Sequence, residues 1–272
     1  MLSQRVKSAL IFVPLVLILI YIGGWIFNLF ITMMLIFAAF EFIHLFQRIG
    51  YTPSFLLSSV GILLILGQRW FFWENYSGMF LTLLLSLVSI AALISYERGE
   101  KDAAINLAIH LTVSMYLGWV GSFFILLRGL PEGLGWMLTA LPATWLADSG
   151  AYFIGRWTGK RKMTPRLSPG KTWAGLLGGI ITGTLSGLLL VLLWRAVGIL
   201  SFDTLLWQGL VMGFVVSILT PIGDLFISLF KRTAGVKDTG NLIPGHGGVL
   251  DRIDTWIWAA MLGYYLVLLF NL

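Results

Sequence analysis

Nine apolar windows run the length of the chain, near residues 8–22, 25–46, 54–72, 78–96, 103–127, 134–155, 172–198, 204–230 and 253–271. A helix needs roughly 20 mainly apolar residues to cross a bilayer. The runs do not alternate and are too long for barrel strands. Backbone groups in hydrocarbon must be satisfied within their own segment, so these windows are expected to be helices. Only 11% of the residues are charged, against about 25% in soluble domains. Twelve Trp and nineteen Phe leave no stretch poor enough in apolar side chains to stay disordered. The sequence predicts an all-α integral membrane protein, a polytopic bundle of about nine transmembrane helices with no sizeable extramembrane domain.

The basic residues orient it. With the N-terminus in the cytoplasm and nine crossings, fifteen of the eighteen Lys and Arg fall on the inner side; the exceptions are Arg69, Arg128 and Arg195. That asymmetry is the positive-inside bias, so the net charge of +6 describes one membrane face rather than a nucleic-acid surface. Arg5 and Lys7 precede an apolar run that resembles a secretory signal. No small-residue cleavage site follows it, and the segment is expected to be the first span, interrupted by Pro14. The chain has no cysteine, which excludes disulfides, thiolate metal sites and cysteine nucleophiles.

Character changes along the chain. Residues 1–133 have short loops and few polar groups, as expected of scaffold helices offering lipid or dimer contacts. Residues 134–272 hold the two longest connections, 156–171 and 231–252, both predicted on the cytoplasmic side. Function is expected in this second half.

Ionisable groups inside spans are costly and mark paired or functional positions. Glu41 and His44 lie three apart on one helical face, where they can bond each other or form an interhelical clamp. His110 stands alone and is expected to be a satisfied core histidine. Asp148, Tyr152 and Gly155 share a helical face beside small neighbours at 149–151. Asp224 follows Pro221 and Gly223, which are expected to break a helix, and such backbone is tolerated at membrane depth only beside a polar cavity. If the helix resumes, Asp224, Ser228 and Lys231 stack toward the inner loop.

Six basic residues and no acid lie between Arg156 and Lys171, a composition that suits topology and anionic lipid. Ser168 is expected to cap a helix whose first turn holds Pro169, with an anion site beside Lys171. Gly170-Lys171-Thr172 is not a P-loop, because Pro165 stands where that motif needs glycine. Gly175, Gly179, Gly183 and Gly187, at four-residue spacing, predict a helix-packing face. In the second loop, Gly245, Gly247 and Gly248 around His246 are expected to offer backbone N–H groups to phosphate oxygens. Asp251 and Asp254, at i and i+3 of the last helix, suit a hard cation such as Mg²⁺. Carboxylates, a divalent cation and surrounding bases are how phosphoryl and nucleotidyl transfer sites are built.

These residues resemble a known family. The 27-residue run from Ser228 to Asp254, with Lys231-Arg232, Lys237-Asp238, Gly240, Pro244-Gly245-His246-Gly247-Gly248, Asp251-Arg252 and Asp254, resembles the signature of phosphatidate cytidylyltransferases, the CDP-diacylglycerol synthases. Asp148 to Gly155, Ser168 to Gly175 and Gly223-Asp224-Leu225 are similar to further motifs of that family. The resemblance covers roughly residues 145–255. It implies conversion of CTP and phosphatidic acid into CDP-diacylglycerol and pyrophosphate in phospholipid biosynthesis, with Mg²⁺ and a second, monovalent cation such as K⁺. It implies a multi-pass, homodimeric enzyme of the cell inner membrane with its active site toward the cytoplasm.

By the same resemblance, Asp224 and Asp251 hold the metal centre, with Asp148 and Asp254 as supporting acids. Lys171, Lys231, Arg232, Lys237 and Arg252 bind phosphates, and Ser168, Ser228, Tyr152 and the loop glycines complete the substrate site. His246 orients a phosphate or assists a proton transfer, or is structural. Ile227 departs from relatives that carry a polar residue before the signature serine. The expected chemistry is in-line attack by the lipid phosphate on the α-phosphorus of CTP. An ion-coupled transporter also uses broken helices and buried acids, but the two halves show no repeat. Another membrane phosphotransferase, such as a CDP-alcohol enzyme, would be expected to carry an aspartate-rich pattern that the chain lacks.

Overall fold

The computed structural model describes residues 2–240, 242 and 247–272, with side chains from residue 12 onward. Helices occupy every predicted window. They are α1 (Leu2–Ile22), α2 (Gly24–Arg48), α3 (Phe55–Phe72), α4 (Ser77–Glu97) and α5 (Ala103–Val113), which continues through a π-helical stretch to α6 (Phe123–Gly129). Then follow α7 (Gly133–Thr158), α8 (Trp173–Ala196), α9 (Leu206–Leu219), α10 (Pro221–Thr233) and α11 (Leu250–Phe270). Among the described residues, seven segments are long and apolar enough to cross a membrane: α2, α3, α4, 103–129, α8, 206–233 and α11. α1 offers only a shorter apolar stretch, Phe12–Ile22, and Thr139, Thr144, Asp148 and Ser149 dilute α7. The protein is an all-α polytopic membrane protein.

Backbone geometry sets the first helix boundary and settles the expectation at Pro14. Gly23 and Gly24, with φ of 66° and 56°, separate α1 from α2, because left-handed backbone favours glycine. Pro14 does not interrupt α1, which runs continuously through it. Proline forfeits one hydrogen bond but already has a helical φ.

The chain forms two compact units, Met1–Leu126 with Thr233–Arg252, and Leu127–Arg232 with Ile253–Leu272. The loop at 233–252 thus belongs to the same unit as the N-terminal helices. In that first unit, Leu35, Phe42, Ile62, Ile65 and Leu66 are fully buried. His110 is buried and satisfied, with Nδ1 2.8 Å from Ser58 Oγ and the Ser54 N–H directed at Nε2. At the α4–α5 connection, hydrogen bonds from Ser95 and Thr52 hold the Glu100 carboxyl below the usual carboxylate range.

In the second unit, glycines set how closely α7, α8 and α9 approach. Gly175 faces α7, where a Cβ would lie 2.8 Å from the Ala151 carbonyl oxygen. Gly187 faces α9, where a Cβ would collide with the Gly209 carbonyl oxygen. The four-residue glycine face is therefore a packing face shared between two neighbours. Between α7 and α8 lies a two-stranded antiparallel hairpin, β1 (Lys162–Thr164) and β2 (Ser168–Thr172), with Lys162 opposite Thr172 and Thr164 opposite Ser168.

Glycine in a helix interior ordinarily costs stability relative to alanine, which makes the packing face testable. Gly187→Ala is expected to lower stability by about 1–3 kcal/mol through overpacking. Gly67→Ala, where a Cβ meets open space, is expected to leave it unchanged or raise it. Thermal unfolding in detergent, followed by size-exclusion chromatography, compares the two.

Candidate active site

In the second unit, a break in the chain places Asp224. α9 stops at Leu219 and α10 starts at Pro221, whose ring nitrogen has no proton to continue the helical ladder. The Thr220 hydroxyl instead donates to the Val216 carbonyl at 2.8 Å, and the Gly223 N–H reaches the Thr220 carbonyl at 2.9 Å. Gly223 is also where α10 meets α11: a Cβ there would collide with the Asp254 carbonyl oxygen. Asp224 thus sits in the first turn of α10, at the end of that helix whose dipole favours negative charge.

Lys171, near the end of β2, reaches this carboxylate, with Nζ 2.7 Å from Asp224 Oδ2. Ser228, one turn along α10, donates to Asp224 Oδ1 at 3.3 Å. Lys231 follows on the same face, buried to 7% exposure, and both it and Asp148 of α7 stand within electrostatic reach of Asp224. The stack of Asp224, Ser228 and Lys231 expected from helical spacing is present. Arg232 Nε donates to the Leu167 carbonyl at 3.1 Å, fastening the turn of the hairpin to the end of α10.

The expected helix cap moves. Ser168 pairs in β2 instead of starting α8, and the cap is Thr172, whose hydroxyl accepts the Gly175 N–H at 3.0 Å. Pairing with β1 extends the backbone through Pro169 and Gly170, so the helix cannot begin before 173. The helix start expected beside Pro169 therefore falls at Trp173, and Lys171 lies in a strand. Tyr152 is exposed and accepts a hydrogen bond from Arg156 at 3.1 Å. Asp254 is buried and accepts the Thr255 N–H at 2.7 Å.

The remaining predicted residues lie in the first unit. Asp251 Oδ2 accepts the Thr239 N–H at 2.8 Å and the Gly248 N–H at 3.1 Å, and lies 3.0 Å from Thr239 Oγ1. The Gly248 N–H, expected to face phosphate, is thus directed at Asp251. Gly247 has φ of +84°, and a Cβ there would lie 3.1 Å from Asp251 Oδ2, so only glycine suits both the backbone and the space. Lys237 and Arg252 are exposed. Gly245 and His246 lie outside the described residues.

Sequence reasoning flagged Glu41 but missed its partners. Glu41 is 2% exposed. Its Oε1 accepts the Val249 N–H at 2.9 Å, and its Oε2 accepts the Leu250 N–H and the Thr239 hydroxyl, each at 2.9 Å. His44 instead approaches Gln47 at 3.4 Å. The clamp runs to the inner loop, a partner 198 to 209 positions away in sequence that helical spacing could not reveal.

Among the described residues, no three Asp, Glu or His side chains converge as a ready-made metal cage. Mg²⁺ does not require one, since one or two carboxylates suffice when phosphates supply the remaining oxygens. Asp224 already holds a cation, the Lys171 ammonium, and the nearby donors are carboxylate and hydroxyl oxygens, which fit a hard ion.

A carboxylate, a hydroxyl and two lysines thus come together at a helix break, beside a basic hairpin. The profile of the Cytidylyltransferase family matches residues 3–270. The chain is similar to the phosphatidate cytidylyltransferase of Staphylococcus saprophyticus, 33% identical over 258 residues that cover 93% of this chain and 94% of the relative. It is also similar to the proteins of that name from Brucella suis, at 34% over 97% of this chain and 92% of the relative, and from Synechocystis, at 30% over 98% and 97%. The chain belongs to the cytidylyltransferase family.

Lys171→Met separates structure from chemistry at this site. Lys171 and Asp224 side chains are 26% and 30% exposed, and pairs open to solvent contribute only about 0–1 kcal/mol. Unfolding temperature in detergent is expected to change little. Loss of a charge aimed at a transferring phosphate is expected to lower kcat/KM for CTP on the order of a hundredfold or more, measured by steady-state kinetics.

Proposed function

We propose that the chain catalyses CTP plus phosphatidic acid giving CDP-diacylglycerol plus pyrophosphate at the cytoplasmic face of the cell inner membrane. Family membership over residues 3–270 supports the reaction. The observation that carries the chemistry is the pairing of Asp224 with Lys171 and Ser228 at the break between α9 and α10. Fifteen of eighteen basic residues assigned to one side support the cytoplasmic orientation, because CTP is supplied from that side and positive charge is retained there. Family membership sets aside the transporter and the CDP-alcohol transferase readings. Self-association as a homodimer fits the lipid-side exposure of apolar residues such as Leu83, Ile90 and Leu93 on α4.

In the reaction, a phosphate oxygen of phosphatidate forms the new bond to the α-phosphorus of CTP. The bond from that phosphorus to the bridging oxygen of the β-phosphate breaks, and pyrophosphate leaves with the electron pair. The attacking phosphate is already anionic near neutral pH, so no strong general base is required. Catalysis is then mostly positioning and charge neutralisation. Lys171 and Lys231 bring positive charge to the phosphates, and Arg232, through Leu167, keeps the basic hairpin beside α10. Ser228 fixes the rotamer of Asp224.

Asp224, with Asp148 near it, is assigned to hold Mg²⁺, which when bound would neutralise charge on the phosphates. Asp251 keeps the metal-side role that the family resemblance gives it, its orientation set by Thr239 and Gly248. A monovalent ion such as K⁺ is the second cation of this proposal.

Pyrophosphate release from CTP is expected only when phosphatidate is present, is abolished by chelation, and returns with Mg²⁺. Asp224→Asn preserves shape and the Ser228 contact, and is expected to reduce turnover by about a thousandfold or more in protein that remains folded in detergent. Near-normal turnover of that variant overturns the assignment of Asp224.

A further inference from the structure

Glu41 lies on α2, far in sequence from every motif of the reaction, yet its carboxylate is saturated by the inner loop and by the start of α11. Two of its bonds come from backbone N–H groups at 249 and 250. These are groups that a helix N-terminus leaves unpaired, and a carboxylate satisfies them electrostatically as well as geometrically. The third comes from Thr239, whose hydroxyl lies 2.9 Å from Glu41 Oε2 and 3.0 Å from Asp251 Oδ2. A hydroxyl has a single proton and serves one acceptor at a time, so Thr239 sits between the two carboxylates.

Space around the carboxylate is shaped to admit it. A Cβ on Gly248 would collide with Glu41 Oε2 and Thr239 Oγ1, and one on Gly240 would lie 2.7 Å from Glu41 Oε1. The two glycines lie on either side of the stretch that carries His246, and both are needed small by Glu41. A carboxylate this buried persists only when fully hydrogen-bonded, and here every donor belongs to the 233–252 segment.

We infer that Glu41 is a positioning residue for the transfer reaction: through its bonds to Thr239 and to the N–H groups of Val249 and Leu250 it holds that threonine and the 248–250 backbone, and with them the direction of the Asp251 carboxylate. The inference rests on the proposed role of that loop and of Asp251. It extends the functional apparatus to α2, in a part of the chain where the family motifs have no representative.

The test uses the full-length protein in detergent with Glu41→Gln, which keeps size but replaces one accepting oxygen by a donating NH₂. Hydrogen–deuterium exchange in peptides covering 247–252 is expected to accelerate about tenfold or more as the tether opens. Exchange in α8 is expected to stay as it was. Turnover is expected to fall about 10–100-fold, with the Mg²⁺ concentration for half-maximal rate rising by a similar factor, as for other residues that orient metal-side carboxylates. A loss of folded protein alone would not move that concentration. Thr239→Val keeps shape and removes only the bridging hydroxyl. It faces the same criteria should Glu41→Gln not fold, and together the two are expected to cost less than the product of their separate effects.

Unchanged exchange at 247–252 overturns the tether. Faster exchange with wild-type turnover and Mg²⁺ response overturns the positioning role and locates the fault in the loop's assignment. An inactive Asp224→Asn in that same experiment leaves the proposed reaction standing.

Discussion

The ion pair between Lys171 and Asp224 is the constraint around which the second unit is arranged. A carboxylate within a membrane helix needs a cation or a complete set of donors; α10 supplies the Ser228 hydroxyl at 3.3 Å and the nearby charge of Lys231, and the directly paired cation comes from outside it. The cation is brought by β2, and β2 is held by its pairing to β1 and by Arg232 on the Leu167 carbonyl. α8 can begin only after the hairpin ends, which is why Thr172 caps it. The close approach of α7, α8 and α9 through small residues then fixes where the hairpin emerges. Strand, cap and helix break thus meet at one ion pair, while the glycine face sets how closely the helices around it approach.

The helices were legible because hydrocarbon imposes a simple rule, internal hydrogen bonding over a fixed length, and apolar runs record it directly. The glycine face was legible for a related reason: four-residue spacing puts Gly175, Gly179, Gly183 and Gly187 on one side of α8 whatever surrounds it. The stack of Asp224, Ser228 and Lys231 followed from the same periodicity once Pro221 was taken as a break. What periodicity does not contain is pairing between distant segments. Ser168 has the chemistry of a cap and Pro169 that of a first helical residue, and only the strand opposite, Lys162–Thr164, removes them from α8.

The signature loop shows the same limit more sharply. Glycines around His246 suggested a phosphate nest, and the exposed N–H groups of a nest are indeed what glycine permits. In the structure, Gly248 is small because Glu41 and Thr239 press against it, its N–H is directed at Asp251, and Gly247 is required by φ. Composition told that the backbone must be unusual there, without telling which group required it. One carboxylate pressing on it lies about two hundred residues earlier, and its only local trace was an acid in a mainly apolar helix.

Two acids of the same chemical type therefore have different capacities, and their donors decide which. Glu41 is satisfied by two backbone N–H groups, which cannot leave without opening the loop, and by a buried threonine hydroxyl shared with Asp251. A carboxylate so bound is inert toward ligands because any newcomer would have to displace main chain. Asp224 is paired with an ammonium on a flexible four-carbon stem, and a lysine can swing to an incoming phosphate and still carry its charge. Its pairing is easily exchanged, and exchange leaves the oxygens open to another cation. Fixed donors make a carboxylate a structural joint, while a mobile counter-ion makes it a site. Applied to the rest of the chain, the distinction sets Asp251 beside Glu41, since the Thr239 and Gly248 N–H groups hold its Oδ2.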